Sequence, residues 1–248
     1  MGNKKKKNSN YQTAKRAEAA AVSAKKKKKL SKDAIIGIIC LSVILIAVAL
    51  SITFCTINKN KDTRYVKMSV EGHGDIILEL DAKTAPITVK NFMDLVNDGF
   101  YDGLTFHRII ENFMIQGGDP KANGTGGNTD KNGKEINIKG EFSDNGVANN
   151  ISHKRGVISM ARSGSQYNPS AYYNTASSQF FICNADSPHL DGQYAAFGHV
   201  ISGMDVVDSI TAEGVKHASG GVINDKSKQP KITSIVEISK KEAMSYVK

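Results

Sequence analysis

Cysteine is scarce. Three in 248 residues, Cys40, Cys55 and Cys183, make neither a disulfide framework nor a CxxC metal pair. They are expected to be packing residues, since a free cysteine behaves as a small hydrophobe. The six histidines are scattered without ligand spacing, so neither a metal site nor a cofactor is expected. No G-x-S-x-G elbow is present to raise a nucleophile, which argues against a hydrolytic triad of His107, Ser159 and nearby aspartates. The glycine-rich NGTGG at 123–127 lacks a following G-K-[ST] and is no phosphate loop.

Basic charge is missing where a nucleic-acid surface would need it. The formal charge of +9 is concentrated in residues 1–33, which hold twelve of 33 Lys+Arg and two of 24 Asp+Glu. The remainder is 21 minus 22, or −1. A near-neutral folded part predicts no nucleic-acid partner.

Charge of either sign is absent from Ala34 to Asn58, where IIGIICLSVILIAVALSITFCTI is almost wholly aliphatic. A run that long predicts a transmembrane helix over 34–58, which needs about 20 residues. A cleavable signal peptide is the competitor, but its apolar region is about 7–15 residues with a small-residue cleavage site after it. Lysines crowd the N-terminal flank at 25–29 and 32. The expected localisation is therefore the cell membrane, single-pass, with the tail 1–33 disordered in the cytoplasm and everything after Asn58 outside. The lysines also suit anionic lipid headgroups. A short linker, 59–64, then leads to one domain over 65–239 and a C-terminal tail over 240–248.

Within that domain, 65–70 and 75–80 alternate as strands around a turn at 71–74. A helix follows: Thr84 is the cap candidate, Pro86 sits in the first turn, and Val89, Phe92, Met93 and Val96 recur at helical spacing before Gly99. Further strands are read at 157–161, 180–183, 196–200 and 232–238, with a second helix near 204–210 and mostly loop over 121–149. Many short strands with two helices predict an antiparallel barrel.

The central stretch is FHRIIENFMIQGGD at 106–119, read as strand, tight turn, strand and glycine stop. Met114 and Gln116 then face one side of a pleated strand, with Arg108 and Phe113 beside them. A cation and an amide around an apolar patch suit a substrate with one apolar ring and flanking carbonyls.

Four further stretches appear in order: NGTGG at 123–127, GVISMAR at 156–162, SSQFFI at 177–182 and LDGQYAAFG at 190–198. With the central stretch they make the chain resemble the cyclophilin family of peptidyl-prolyl cis-trans isomerases over about 65–239. The resemblance implies an all-β fold, a closed eight-stranded antiparallel barrel with two capping helices. It implies Arg108 as the catalytic guanidinium, Gln116 as a residue that holds the peptide, and Gln179 as support for the arginine or the peptide backbone. Phe113, Met114, Phe181 and Leu190 would line the proline pocket, with His189 and Tyr194 at its margin. The backbone around Ala161 and Arg162 would hold the peptide. Proline-containing peptides and unfolded proteins, exported or at the surface, are the implied partners. A non-catalytic proline-peptide-binding or chaperone module on the same fold is the alternative; Arg108, Gln116 and Phe113 together favour the enzyme.

The departures are specific. His189 stands where many members carry a tryptophan, and the chain has no tryptophan at all. The resemblance implies that this weakens cyclosporin binding. Tyr194 stands where a histidine often does, and Arg162 replaces an asparagine; SMAR resembles the bacterial branch. The segment 163–176, with Tyr167, Tyr172 and Tyr173, is longer than the usual connection; it is read either as part of the groove rim, biasing substrate choice, or as a passive surface insertion.

Overall fold

A computed structural model describes residue 15, residues 31–164 and residues 167–247; the side chains of 34 and 49–61 are not among them. The expectation of a disordered leader lies outside these residues except at 15 and 31–33. The chain forms two units, Met1–Cys55 and Thr56–Lys248.

Helix α1 spans Lys32–Asp62, and Asp33 in its first turn suits the helix dipole. The aliphatic run is thus helical. Among the described residues, however, no helix is long and apolar enough to cross a membrane, which corrects the transmembrane helix expected over 34–58. α1 gives directly onto strand β1 (Thr63–Val70), in place of the linker expected at 59–64.

The second unit contains β2 (Gly74–Asp81), α2 (Pro86–Asn97), β3 (Arg108–Ile110), β4 (Met114–Gly117) and β5 (Val157–Met160). It continues with β6 (Phe180–Cys183), β7 (Ala196–Ser202), α3 (Met204–Gly214), β8 (Ile232–Ile238) and α4 (Lys240–Tyr246). Every ladder is antiparallel, in the order β3-β4-β6-β5-β7-β2-β1-β8.

The two edge strands, β3 and β8, are not laddered together, so the sheet is a curled open half-barrel. The closed barrel is therefore a correction, and so is the count of two helices. The outer edge of β3 is already occupied: Ile109 N–H donates to Gly221 at 2.7 Å, and Ile223 N–H donates to His107 at 2.9 Å. Irregular chain at 103–106 meets the start of β8 instead, with Phe106 N–H donating to Pro230 at 2.9 Å. A loop that covers an edge strand also blocks its pairing with anything else.

Alternation builds the core. Val66 and Met68 on β1, with Ile76, Leu78 and Leu80 on β2, are all fully buried. Phe92 of α2 stacks into the same core, 5.1 Å from Tyr101 and 5.3 Å from Phe197 between ring centroids. Each such ring contributes about 1.5–3 kcal/mol by leaving water. On the other face of β1 and β2, Tyr65 and Ile77 pack with Ala243 of α4. What read as a C-terminal tail is thus a covering helix.

The N-terminus of α2 differs from expectation as well. Thr84 does not cap it; its hydroxyl donates to Asp81 at 2.6 Å. The carboxylate of Glu141 accepts from the N–H groups of Ile87 at 3.1 Å and Thr88 at 2.8 Å. Glu141 is buried, so a distant loop supplies the cap.

Candidate active site

The site follows from strand register. Arg108 pairs with Gln116 and Ile110 with Met114 across β3 and β4. Gln116 then pairs with Phe181, and Met114 with Cys183, across β4 and β6. Residues directly opposite share a face. One face of these strands therefore carries Arg108, Met114, Gln116, Phe181 and Cys183, while Ile109, Ile115, Phe180 and Ile182 enter the core. The hairpin closes through Asn112 at φ 56°, a left-handed position that asparagine tolerates.

On the site face Met114, Phe181, Cys183 and Leu190 form a buried apolar cluster, packed against Phe113, Ala161 and Tyr194. Leu190 arrives on the short turn Pro188–Leu190. The exposed His189 lies 5.3 Å from the Phe113 ring, and Tyr194 meets Phe181 edge-on at 5.9 Å. Every residue expected in the proline pocket is thus present in one place.

Half-buried Arg108 lies at the edge of this cluster, its guanidinium carbon 6.0 Å from the Phe113 centroid. Its Nη1 donates to Gln116 Oε1 at 3.1 Å. Gln116 Nε2 donates to Gln179 Oε1 at 2.8 Å. Gln179 Nε2 ends the series on the carbonyls of Gly124 and Gly126, at 3.1 and 2.7 Å. Burial lowers the pKa of Arg108, yet a guanidinium stays charged at any physiological pH. Among the described residues it forms no salt bridge with a carboxylate.

Beside the pocket, a groove of about 170 Å³ is lined by Gln116, Gln179, Glu135, Arg162, Ser163 and Thr175, among others. Arg162 does not extend freely into it. Its guanidinium carbon lies 4.6 Å from the Tyr194 ring centroid and 5.3 Å from that of Tyr173, and its Nε donates to Gln193 at 3.0 Å. Ala161 N–H is committed to the Gln179 carbonyl at 2.9 Å, so Ala161 can offer a peptide only its own carbonyl. Tyr173, from the long 163–176 segment, thus contributes to the rim through Arg162. A larger hollow of about 810 Å³ lies around Arg64, Tyr65, Glu79 and Lys83. There Arg64 is tied to Glu237 by two bonds of 2.6 Å and is not presented to a ligand.

Sequence reasoning missed the support behind the pocket. His153 is buried and stacked at 6.0 Å on Phe181. Its Nδ1 is 2.9 Å from Asp191 Oδ1, and its Nε2 is 3.1 Å from the Ser159 hydroxyl. Burial lowers the pKa of His153 despite the Asp191 carboxylate, so the ring is neutral: Nδ1 donates to Asp191 and Nε2 accepts from Ser159. The series is ordered as in a hydrolytic triad, but Ser159 is fully buried and offers no hydroxyl to a substrate. His107, immediately before β3, is buried with no hydrogen-bond partner for either ring nitrogen among the described residues. Asp191 lies inside LDGQYAAFG at 190–198, but nothing local marks His153.

The family model described as Cyclophilin type peptidyl-prolyl cis-trans isomerase/CLD matches residues 65–238. The chain belongs to the cyclophilin family. It is similar to a peptidyl-prolyl cis-trans isomerase of Helicobacter pylori, 46% identical over 140 residues, covering 55% of this chain and 74% of that one. Peptidyl-prolyl cis-trans isomerase A of Dickeya dadantii is 41% identical over 175 residues, 68% of this chain and 81% of its own. Among solved structures, a cyclophilin type isomerase of Cryptosporidium parvum superposes with a TM-score of 0.59 at 30% identity, covering 71% of this chain and 98% of that one. The same protein in the presence of the dipeptide Ala-Pro gives a TM-score of 0.58, again at 30% identity, over 71% and 99%. The open sheet and the three-strand site face are therefore a cyclophilin framework.

Proposed function

We propose that this cyclophilin accelerates cis-trans isomerisation of X–Pro bonds in polypeptide clients, with Arg108 acting on the twisted amide over the apolar pocket. Rotation about an X–Pro bond breaks amide resonance at a cost of about 18–20 kcal/mol and takes tens of seconds or more unaided. No bond is made or cut, so neither nucleophile nor metal has a part in the step. Phe113, Met114, Phe181 and Leu190 hold the proline ring by apolar burial. As the amide twists, its nitrogen loses conjugation and gains a basic lone pair. A guanidinium N–H aimed at that nitrogen stabilises the twisted state and not the planar one, and such selectivity lowers the barrier.

The observation that carries the reading is the state of Arg108. It is a half-buried cation at the edge of an apolar pocket, tied to one amide oxygen and, among the described residues, to no carboxylate. A counter-ion would neutralise the field the reaction needs. Keeping the charge unpaired costs stability, which makes sense where the charge has work at the substrate.

The test is catalysed exchange between cis and trans forms of a short Xaa-Pro peptide by the full chain, beside Arg108→Ala. We expect the variant to lose about 100-fold or more in kcat/KM, about 2.7 kcal/mol, while peptide affinity stays within a few-fold. A folded wild-type protein that binds the peptide without accelerating it would establish the binding-module alternative instead. A setting outside the cytoplasm, among exported or surface clients, is a separate proposal supported only by the lysine asymmetry of the leader. Protection of the domain from protease added to intact cells would end it.

A further inference from the structure

We infer that Asp119 is a positioning residue for the isomerase: through the 119–126 loop it sets which way the amides of Gln179 and Gln116 point, and so presents an acceptor to Arg108. The inference rests on the reading of Arg108 given above and adds to it a device that no local motif reveals.

The carboxylate of Asp119 is fully buried, and its bonds are to the loop's own backbone. Oδ1 accepts from Lys121 N–H at 2.7 Å; Oδ2 accepts from Asn123 N–H at 3.0 Å and Gly124 N–H at 2.6 Å. Burial opposes the charge, but these three donors prevail and hold the carboxyl below its usual range. They also hold a backbone that would not keep this shape by itself. Ala122 sits at φ 56° and Gly124 at φ 88°, in the left-handed region that alanine avoids without support. Gly126 runs so close that a Cβ there would overlap Asp119 Oδ1. The loop is wrapped around one carboxylate.

Its product is a pair of carbonyls, Gly124 and Gly126, converging on a single nitrogen of Gln179. A primary amide has a donor end and an acceptor end, and only the donor end can face two carbonyls. Gln179 must therefore turn its oxygen to Gln116. Gln116 must answer with its NH₂, which leaves its own oxygen for Arg108. Were the loop carbonyls displaced, both amides could flip, and Gln116 would turn an NH₂ against the guanidinium. That arrangement sets donor against donor and drives Arg108 away from the pocket edge. A buried anion thus sets the direction of two neutral dipoles and, through them, the place of a cation.

The experiment compares full-chain wild type, Arg108→Ala, Asp119→Asn, Gln179→Leu and the Asp119→Asn/Gln179→Leu double variant. Exchange NMR on an Xaa-Pro peptide gives turnover, and titration of the same peptide gives affinity. Asp119→Asn keeps the size of the side chain but opposes an NH₂ to backbone N–H groups. We expect a fall in kcat of about tenfold with affinity within about twofold, and a double variant no slower than Gln179→Leu alone. A folded Asp119→Asn with wild-type kcat overturns the inference, and so do losses that multiply in the double variant. Should Asp119→Asn fail to fold, Gly124→Ala, which strains the loop at φ 88°, replaces it with the same expected split and the same overturning result. Full activity of Arg108→Ala sinks the reading of Arg108 itself. Collapse of Arg108→Ala beside an intact Asp119→Asn sinks only the positioning role.

Discussion

Protonating His153 inside this fold would put a charge between a stacked phenyl ring and a serine whose hydroxyl already donates to it. Burial lowers its folded pKa below the unfolded value of about 6.5. The unfolded chain therefore binds a proton that the folded one refuses. Its contribution to stability is complete above pH 6.5 or so and is lost as the pH falls from there through the folded pKa. Urea unfolding between about pH 7.5 and 5 should show falling stability, and His153→Asn should flatten that fall although it lowers stability throughout. An unchanged slope would move the effect elsewhere, first to His107, whose pKa burial also lowers. At this scale the residues proposed to touch a substrate were the legible ones: Arg108, Gln116 and Phe113 stand in one uninterrupted stretch. His153 and Asp191, separated by 38 positions, meet only after folding. No periodicity announces such a pair.

Elements built from local alternation were legible too. The first hairpin was readable from its alternation, and the strands at 180–183 and 232–238 from short runs rich in aromatic and β-branched residues, the first of them buried at every position. Caps and edges were not, since both depend on what distant chain happens to lie beside them. Thr84 has the right chemistry to cap α2, yet Asp81 engages it and Glu141 takes the role from 53 positions away. Glu141→Ala would strip two backbone donors of a charged acceptor in a buried place. It should cost about 2 kcal/mol, or roughly 4–8 °C in melting temperature for a domain of this size. Thr84→Ala should cost far less than that, and thermal melts of the two variants side by side decide which residue is the cap. The open edge escaped the sequence for a similar reason: whether β3 meets β8 depends on where residues 221–223 settle.

For the molecule as a whole, the site and the stabilising helix α4 belong to different regions of the sheet. Residues 240–248 read as a tail because Ala243 is a small anchor among Lys240, Lys241 and Glu242. Ending the chain after Ser239 would uncover Tyr65 and Ile77. We expect a loss of about 2–4 kcal/mol and a melting temperature lower by several degrees, with turnover per folded molecule unchanged. Loss of turnover at full stability would contradict that separation. The catalytic face also sits on the side of the strands turned away from the core, and not within a lumen. A client need not thread an end through anything to reach it. Prolines deep in the middle of a long polypeptide are as accessible as terminal ones, and one molecule can visit successive prolines by letting go and landing again.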